Sequence, residues 1–517
     1  MMNPMSNLLR RLVTGDERIL AQQAMRRLAP ADRDWKSFVR TLVGPARPGD
    51  IILGKVQRPD GRWATVRIPA NLVCTMHAAF NGASGSGKSR LVMLAILQLI
   101  RARICTVLLD CKSETARALR DVIVPYLIAE TGDESLLDRI RVVVNPFDTA
   151  VVPPLNLTQR EEGVSVEAQA FSIVASVEEA LADVLSPRSR PVLLRLTSAA
   201  ISLERPLPTI QEWLADPASF ARDAGRSIDP AIREYARSGF QHENRESLRS
   251  IGSRLSAFLF LPETRRALAA RSCVRFSDID RAGGLTIIDV GSPPAGSEQL
   301  MRFWGGPLVG MLTRGALSRT ITPETVPVVL VLEEIQEVIG PQEARSLARL
   351  MSVARYRRCA VWTTNQSRSQ LLRVDRNLVE AISTNVGFQA QFRSSLSDAQ
   401  AFAHLLPEGG GESRAAARRE QIEELTRLRK RHYYLALRDA PFRARVVRTQ
   451  SLDFDELTRA AGALPADVRE RIARAGVLPD AEPEPTAAET VTPEPTSLPP
   501  RPKPTAPVDP GTFPGLG

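Results

Sequence analysis

Ala78-Ala79-Phe80-Asn81-Gly82-Ala83-Ser84-Gly85-Ser86-Gly87-Lys88-Ser89-Arg90-Leu91-Val92 decides how the rest of the chain is read. It begins as the apolar end of a strand and runs into an apolar helix (Leu91, Val92, Leu94, Ala95). Between the two, Gly82–Ser89 fits G-x-x-x-x-G-K-[ST]. Glycines let such a loop curl until its backbone N–H groups point at phosphates. A lysine at the position of Lys88 places a point charge on the β- and γ-phosphates, and a hydroxyl at Ser89 ligates Mg2+. The N-terminus of the following helix adds its dipole. The expected nucleotide-binding set is therefore Gly82, Ala83, Ser84, Gly85, Ser86, Gly87, Lys88, Ser89 and Arg90, with ATP and Mg2+ as the implied ligands.

Reading outward, apolar runs alternate with helical stretches: Cys74–Phe80, Ile104–Leu109, Ile140–Val144, Gly284–Val290, Pro327–Leu332, Cys359–Thr364 and Val386–Phe392. Strands buried on both faces are nearly continuous in apolar residues, so these runs predict an α/β fold with a mostly parallel sheet. A phosphate loop also needs an acidic group at the end of a nearby strand. Val328-Val329-Leu330-Val331-Leu332-Glu333-Glu334 supplies two, with Glu333 expected on the metal side and Glu334 as general base. Two more candidates follow strands on the same expected rim. Asp110 would line the site and Gln366 would sense the γ-phosphate, or each would simply serve a turn or helix cap.

The chain of 517 residues suggests two ordered domains plus tails. Six segments are expected: a helical N-terminal segment (1–48), the first part of the ATPase domain (49–157), an inserted all-helical subdomain (158–275), the second part of the ATPase domain (276–450), short C-terminal helices (451–478) and a Pro-rich tail (479–517). Within the insertion, helices are expected over Ala168–Leu185, Val192–Ile201, Ile210–Leu214 and Leu248–Leu268. Tyr433–Val447, around Asp439-Ala440-Pro441, reads as a hairpin, and Ile51–Arg67 as short strands. The tail holds 12 of the 38 prolines, a composition that cannot bury a core, and disorder is expected there. No run approaches the roughly 18 apolar residues of a membrane helix. Five cysteines without metal-ligand spacing read as reduced core or near-core residues and point to the cytoplasm.

These motifs, in this order, resemble the FtsK–HerA superfamily of DNA-pumping ATPases, and within it the conjugative coupling proteins of type IV secretion. The resemblance rests on Gly82–Ser89, on Asp110-Cys111-Lys112-Ser113-Glu114, on Asn145-Pro146-Phe147 with Pro154-Leu155-Asn156-Leu157, on Glu333-Glu334, on Ala354-Arg355, on Gln366-Ser367, and on Asn385 and Arg393. It covers about residues 50 to 450. Three departures from that pattern are expected: no membrane anchor, Glu333 where the family carries Asp, and only Ile51–Arg67 to represent the N-terminal barrel.

The resemblance implies a RecA-like domain, a homo-hexamer with ATP between subunits, and arginines acting on the neighbour's site, for which Arg355 and Arg393 are the candidates. It implies DNA as substrate, through sequence-independent backbone contacts. The net charge of +10 and the basic clusters Arg355–Arg358, Arg414–Arg419 and Arg427–Arg431 suit a polyanionic partner. The alternative is a protein-handling secretion ATPase that receives a relaxase or secretion-system proteins through the helical subdomain. Either would work in the cytoplasm, with a partner able to recruit it to the inner face of the membrane.

Overall fold

The chain folds around strands β1 (Ile51–Gln57), β2 (Trp63–Ile68), β3 (His77–Asn81), β4 (Cys105–Asp110), β5 (Ile140–Val143), β6 (Leu285–Asp289), β7 (Val328–Glu333), β8 (Cys359–Asn365), β9 (Val386–Gln391), β10 (His432–Leu437) and β11 (Arg445–Thr449). In this computed structural model the described residues are 49–57, 63–143, 152–161, 163–180, 185–270, 273, 276, 279, 284–291, 299–403, 414–437, 445–449 and 454–475. The expected N-terminal helical segment, Asn145-Pro146-Phe147, the Asp439-Ala440-Pro441 turn and the Pro-rich tail lie outside them.

Among the described residues the strands make one sheet, in the order β2-β1-β11-β10-β9-β3-β8-β7-β4-β6-β5. The seven strands from β9 to β5 in that order are parallel. They are the seven that the apolar runs predicted. The other four extend one edge antiparallel, and the β10–β11 pair sets Tyr433 opposite Val447.

Side chains alternate across a strand, so a strand covered on both faces needs apolar residues at every position. Val328, Leu330 and Leu332 of β7 enter one core, while Val329 and Val331 enter the other. The helices Lys88–Arg101 and Val124–Thr131 cover the second face. Gln299–Ser318, Pro341–Val353 and the helices between residues 166 and 268 cover the first, in one continuous core.

Within that helical stretch Asn244 caps Arg245–Phe258, its Oδ1 accepting from the N–H groups of Glu246 (2.7 Å) and Ser247 (3.4 Å). The single helix expected over Leu248–Leu268 is instead two, Arg245–Phe258 and Pro262–Leu268. Pro262 explains the break: its ring pushes the preceding residue out of the α region, and Leu261 is extended (φ −76°, ψ 124°).

The arrangement fixes where chemistry can occur. β3 lies between β8 and β9, with β7 and β4 beyond β8, so the loop after β3 emerges among the carboxyl ends of five strands.

Candidate nucleotide site

The loop after β3 is shaped by two glycines. At Gly82 (φ +147°) a Cβ would lie 2.6 Å from Phe392 Cβ, and at Gly87 (φ +109°) it would lie 3.2 Å from the Arg431 backbone. Neighbouring segments hold the loop in place. The Gly82 N–H donates to the Asn365 carbonyl (3.2 Å), the Ala83 N–H to the Arg393 carbonyl (2.7 Å), and the Arg431 N–H to the Ser86 carbonyl (2.8 Å). Thus the ends of β8 and β9 and the approach to β10 all stitch this loop.

Lys88 opens the helix Lys88–Arg101, and its side chain folds under the loop, donating from Nζ to the Gly82 carbonyl at 2.5 Å. Burial lowers its pKa; Glu334 and Glu333 oppose that shift, while Lys112 adds to it. No side chain caps this helix, so its first-turn amides are left for an anion. Ser86 Oγ, Thr363 Oγ1 and both amide atoms of Asn365 are buried without a partner. Such orphans cost about 1–3 kcal/mol each, and here they sit in the loop and on the strand end beside it. A glycine cradle, a buried lysine, uncapped amides and unpartnered polar atoms fit the phosphates of a nucleotide, with the half-buried Ser89 available to a divalent cation.

The acidic rim begins at β7. Across β6, β4 and β7 the residues Asp289, Asp110 and Glu333 are direct register partners. Burial, reinforced by the charge of Asp110, pushes the Glu333 carboxyl up to about 8. Burial likewise raises Asp289, to about 6, against the bond its Oδ1 accepts from Ser113 Oγ (2.7 Å). Asp110 is fully buried, and its oxygens accept from the N–H groups of Lys112 (2.8 Å) and Ala116 (2.9 Å). It thereby closes the turn into the helix Glu114–Ala118 and offers no exposed surface to a ligand. Among the described residues, no group of three or more His, Cys, Asp or Glu side chains could hold a metal ion by itself.

Glu334 leaves β7 in the left-handed region (φ +51°, ψ +42°), a conformation that costs a non-glycine residue about 1–3 kcal/mol. Its N–H donates to the Thr364 carbonyl (2.9 Å). Its Oε1 pairs with Lys112 Nζ at 2.9 Å, and its Oε2 accepts from Gln336 Nε2 (2.7 Å) and the Gln366 N–H (3.2 Å). Gln366 therefore touches Glu334 through its backbone.

The two arginine candidates fall at opposite ends of the parallel strands. Arg393, exposed, follows β9 beside the loop, and its carbonyl holds Ala83. Arg355, also exposed, lies in the 3-10 turn Ala354–Arg357 that leads into the amino end of β8. The length of β8 separates it from the phosphate loop, about 20 Å at roughly 3.3 Å per residue. In the same basic cluster Arg357 and Arg358 donate to the carbonyls of Arg319, Pro323 and Thr325. Arg90 lies over the Phe454 ring, 3.5 Å from its centroid.

The sequence marks Lys112 and Arg431 only as members of longer motifs, and it does not single out Asp289 or Gln336. Asp289 carried the signal that marked Glu333, a carboxylate closing an apolar run (Leu285–Asp289). The other three make contacts that only the folded chain brings together.

Residues 51–302 match the family model of the helicase HerA central domain. Among solved structures, VirB4 of Thermoanaerobacter pseudethanolicus is similar to it with a TM-score of 0.53 and 14% identity, covering 80% of this chain and 100% of that one. The bacterial conjugative coupling protein TrwB aligns with a TM-score of 0.49 and 15% identity over 80% of this chain and 96% of that one. TrwB in complex with ADP and Mg2+ aligns with a TM-score of 0.48 and 15% identity over 80% and 97%. No curated protein matches by sequence. The VirB4 alignment shows the fold of the chain, a mostly parallel, RecA-like sheet with flanking helices. Among the described residues, no helix is long and apolar enough to cross a membrane.

Proposed function

We propose that the chain is an ATP-driven DNA translocase, a coupling-protein-like motor for conjugative or mobile-element DNA transfer. In this reading it works as a homo-hexamer in the cytoplasm, recruited to the inner face of the membrane by a partner. The observation that carries it is the meeting of the phosphate loop with the carboxylate end of β7: buried Lys88 sits in the field of Glu334 and Glu333.

In this reading Gly82–Ser89 and Arg90 cradle ATP, and Ser89 and Glu333 are the residues that would hold Mg2+, which would supply charge neutralisation at the phosphates. Glu334 takes a proton from the attacking water, and Gln366, already bonded to Glu334, senses the γ-phosphate. Arg355, remote from its own loop, suits a neighbouring subunit's site, and Arg393 is the second candidate for that role. The net charge of +10 supports backbone contacts with DNA.

Steady-state ATP hydrolysis by the full chain, with and without linear duplex DNA at low and moderate salt, tests the proposal. Stimulation by DNA that fades with salt is expected; equal rates with and without DNA would contradict it. A second reading, a protein-handling secretion ATPase that receives a relaxase or secretion-system proteins, is favoured by Ile228 and Phe260. These large apolar side chains of the helical stretch are 96% and 78% exposed. It predicts stimulation by a protein partner and indifference to DNA.

A further inference from the structure

Glu334 is held from three sides, and the three holds differ in kind. The Gln366 N–H belongs to the end of β8, and Gln336 lies two residues along the same turn, so both are carried by the framework around the base. Lys112 is different. Its backbone is fixed, because its N–H donates to Asp110 Oδ1 at 2.8 Å. Its side chain is 42% exposed, whereas that of Glu334 is 6% exposed. A long, flexible side chain anchored at its base thus presents an ammonium to a buried carboxylate from the solvent side, and can withdraw into water. The charge of Lys112 also acts on Lys88, lowering its pKa.

We propose that Lys112 is a positioning residue that latches Glu334 in a resting state, and that rupture of this ion pair limits hydrolysis in the unstimulated protein. The inference rests on Glu334 being the general base. While the pair holds, one carboxylate oxygen faces a cation and the other is engaged by two donors. When it parts, the carboxylate is free to turn to water.

Three variants of the full chain test this. In Lys112→Met the unstimulated kcat should rise by up to about fivefold, the upper end of what losing one partly exposed ion pair is worth, with KM for ATP little changed. Lys112→Arg, which can re-form the pair, should return to the wild-type rate. Without nucleotide, the Gln366 amide should exchange its hydrogen faster in Lys112→Met, because its acceptor is no longer pinned. A fall in kcat, an unchanged kcat or an unchanged Gln366 amide would overturn the latch. In a Glu334→Gln background Lys112→Met should change nothing; a change there would show that Lys112 acts on another group. Full activity of Glu334→Gln alone would sink the general-base reading itself. Loss of rate in Lys112→Met beside an inactive Glu334→Gln would sink only the latch.

Discussion

The two ends of the parallel strands carry opposite charges and treat them in opposite ways. At the amino ends, Arg319 is buried and donates to the carbonyls of Arg357 (2.8 Å), Arg358 (3.2 Å) and Val326 (2.5 Å). Arg357 returns a bond to the Arg319 carbonyl (2.7 Å). Helix Gln299–Ser318 also ends there, where Arg314 binds both oxygens of Glu161 and reaches Ser172 Oγ. These residues line a cavity of about 360 Å3. At the carboxyl ends, Asp110, Asp289, Glu333 and Glu334 crowd together, with Glu333 pushed up to about 8 and unpartnered polar atoms beside them. The amino-end cations are spent on turns that start β7 and β8. At the carboxyl ends Asp110, Asp289 and Glu334 have partners of their own, while Ser86, Thr363 and Asn365 keep buried polar atoms without one. Polar groups satisfied by the fold serve architecture; those left short await something the fold does not contain.

Mutations should separate the two ends. Lys88→Ala should lower hydrolysis by at least about 10²-fold, as loss of a main phosphate-facing charge does, with nucleotide affinity weakened in equilibrium titrations. Unchanged hydrolysis would remove the carboxyl end from the chemistry. Arg319→Ala should destabilise the fold by about 3 kcal/mol, since it strands several buried carbonyls. The thermal melt should drop by several degrees while ATP affinity holds. A variant with weakened ATP binding and an unshifted melt would break the contrast.

The smallest effect belongs to His77, at the amino end of β3, where Nδ1 accepts the Val361 N–H at 2.9 Å. Burial lowers its pKa from 6.5 to about 4. The unfolded chain takes up this proton below about pH 6.5 and the folded chain does not until about pH 4. Its contribution to stability is therefore full above 6.5 and lost as pH falls towards 4, about 2 kcal/mol by pH 5. In His77→Gln the fall in stability between pH 7 and pH 5 should shrink by that amount, read from melts at the two pH values. An unchanged difference would contradict the assignment.

How much of this was legible in the sequence depended on the range of the interactions. The seven parallel strands stood out because two-sided burial writes an uninterrupted apolar run. The phosphate loop was legible because its glycines, Lys88 and Ser89 are consecutive. Helix ends are harder to read: the apolar period of Leu248–Leu268 continues across Pro262, where the helix breaks in two. The pairing of Glu334 with Lys112 is not legible in the sequence, since Lys112 lies 222 residues away in the chain. Asp110 shows the same limit from the other side, for its spacing suited a site residue while its oxygens close a turn.

The most direct test of the account is single-turnover cleavage of ATP by wild-type chain and by Glu334→Gln, with nucleotide binding measured on the same samples. The account predicts that both bind MgATP and that the variant cleaves it at least about 10²-fold more slowly, the usual contribution of a positioned general base. Cleavage by Glu334→Gln at the wild-type rate would contradict it, and would leave the carboxylate end of β7 as a structural feature rather than the reacting centre.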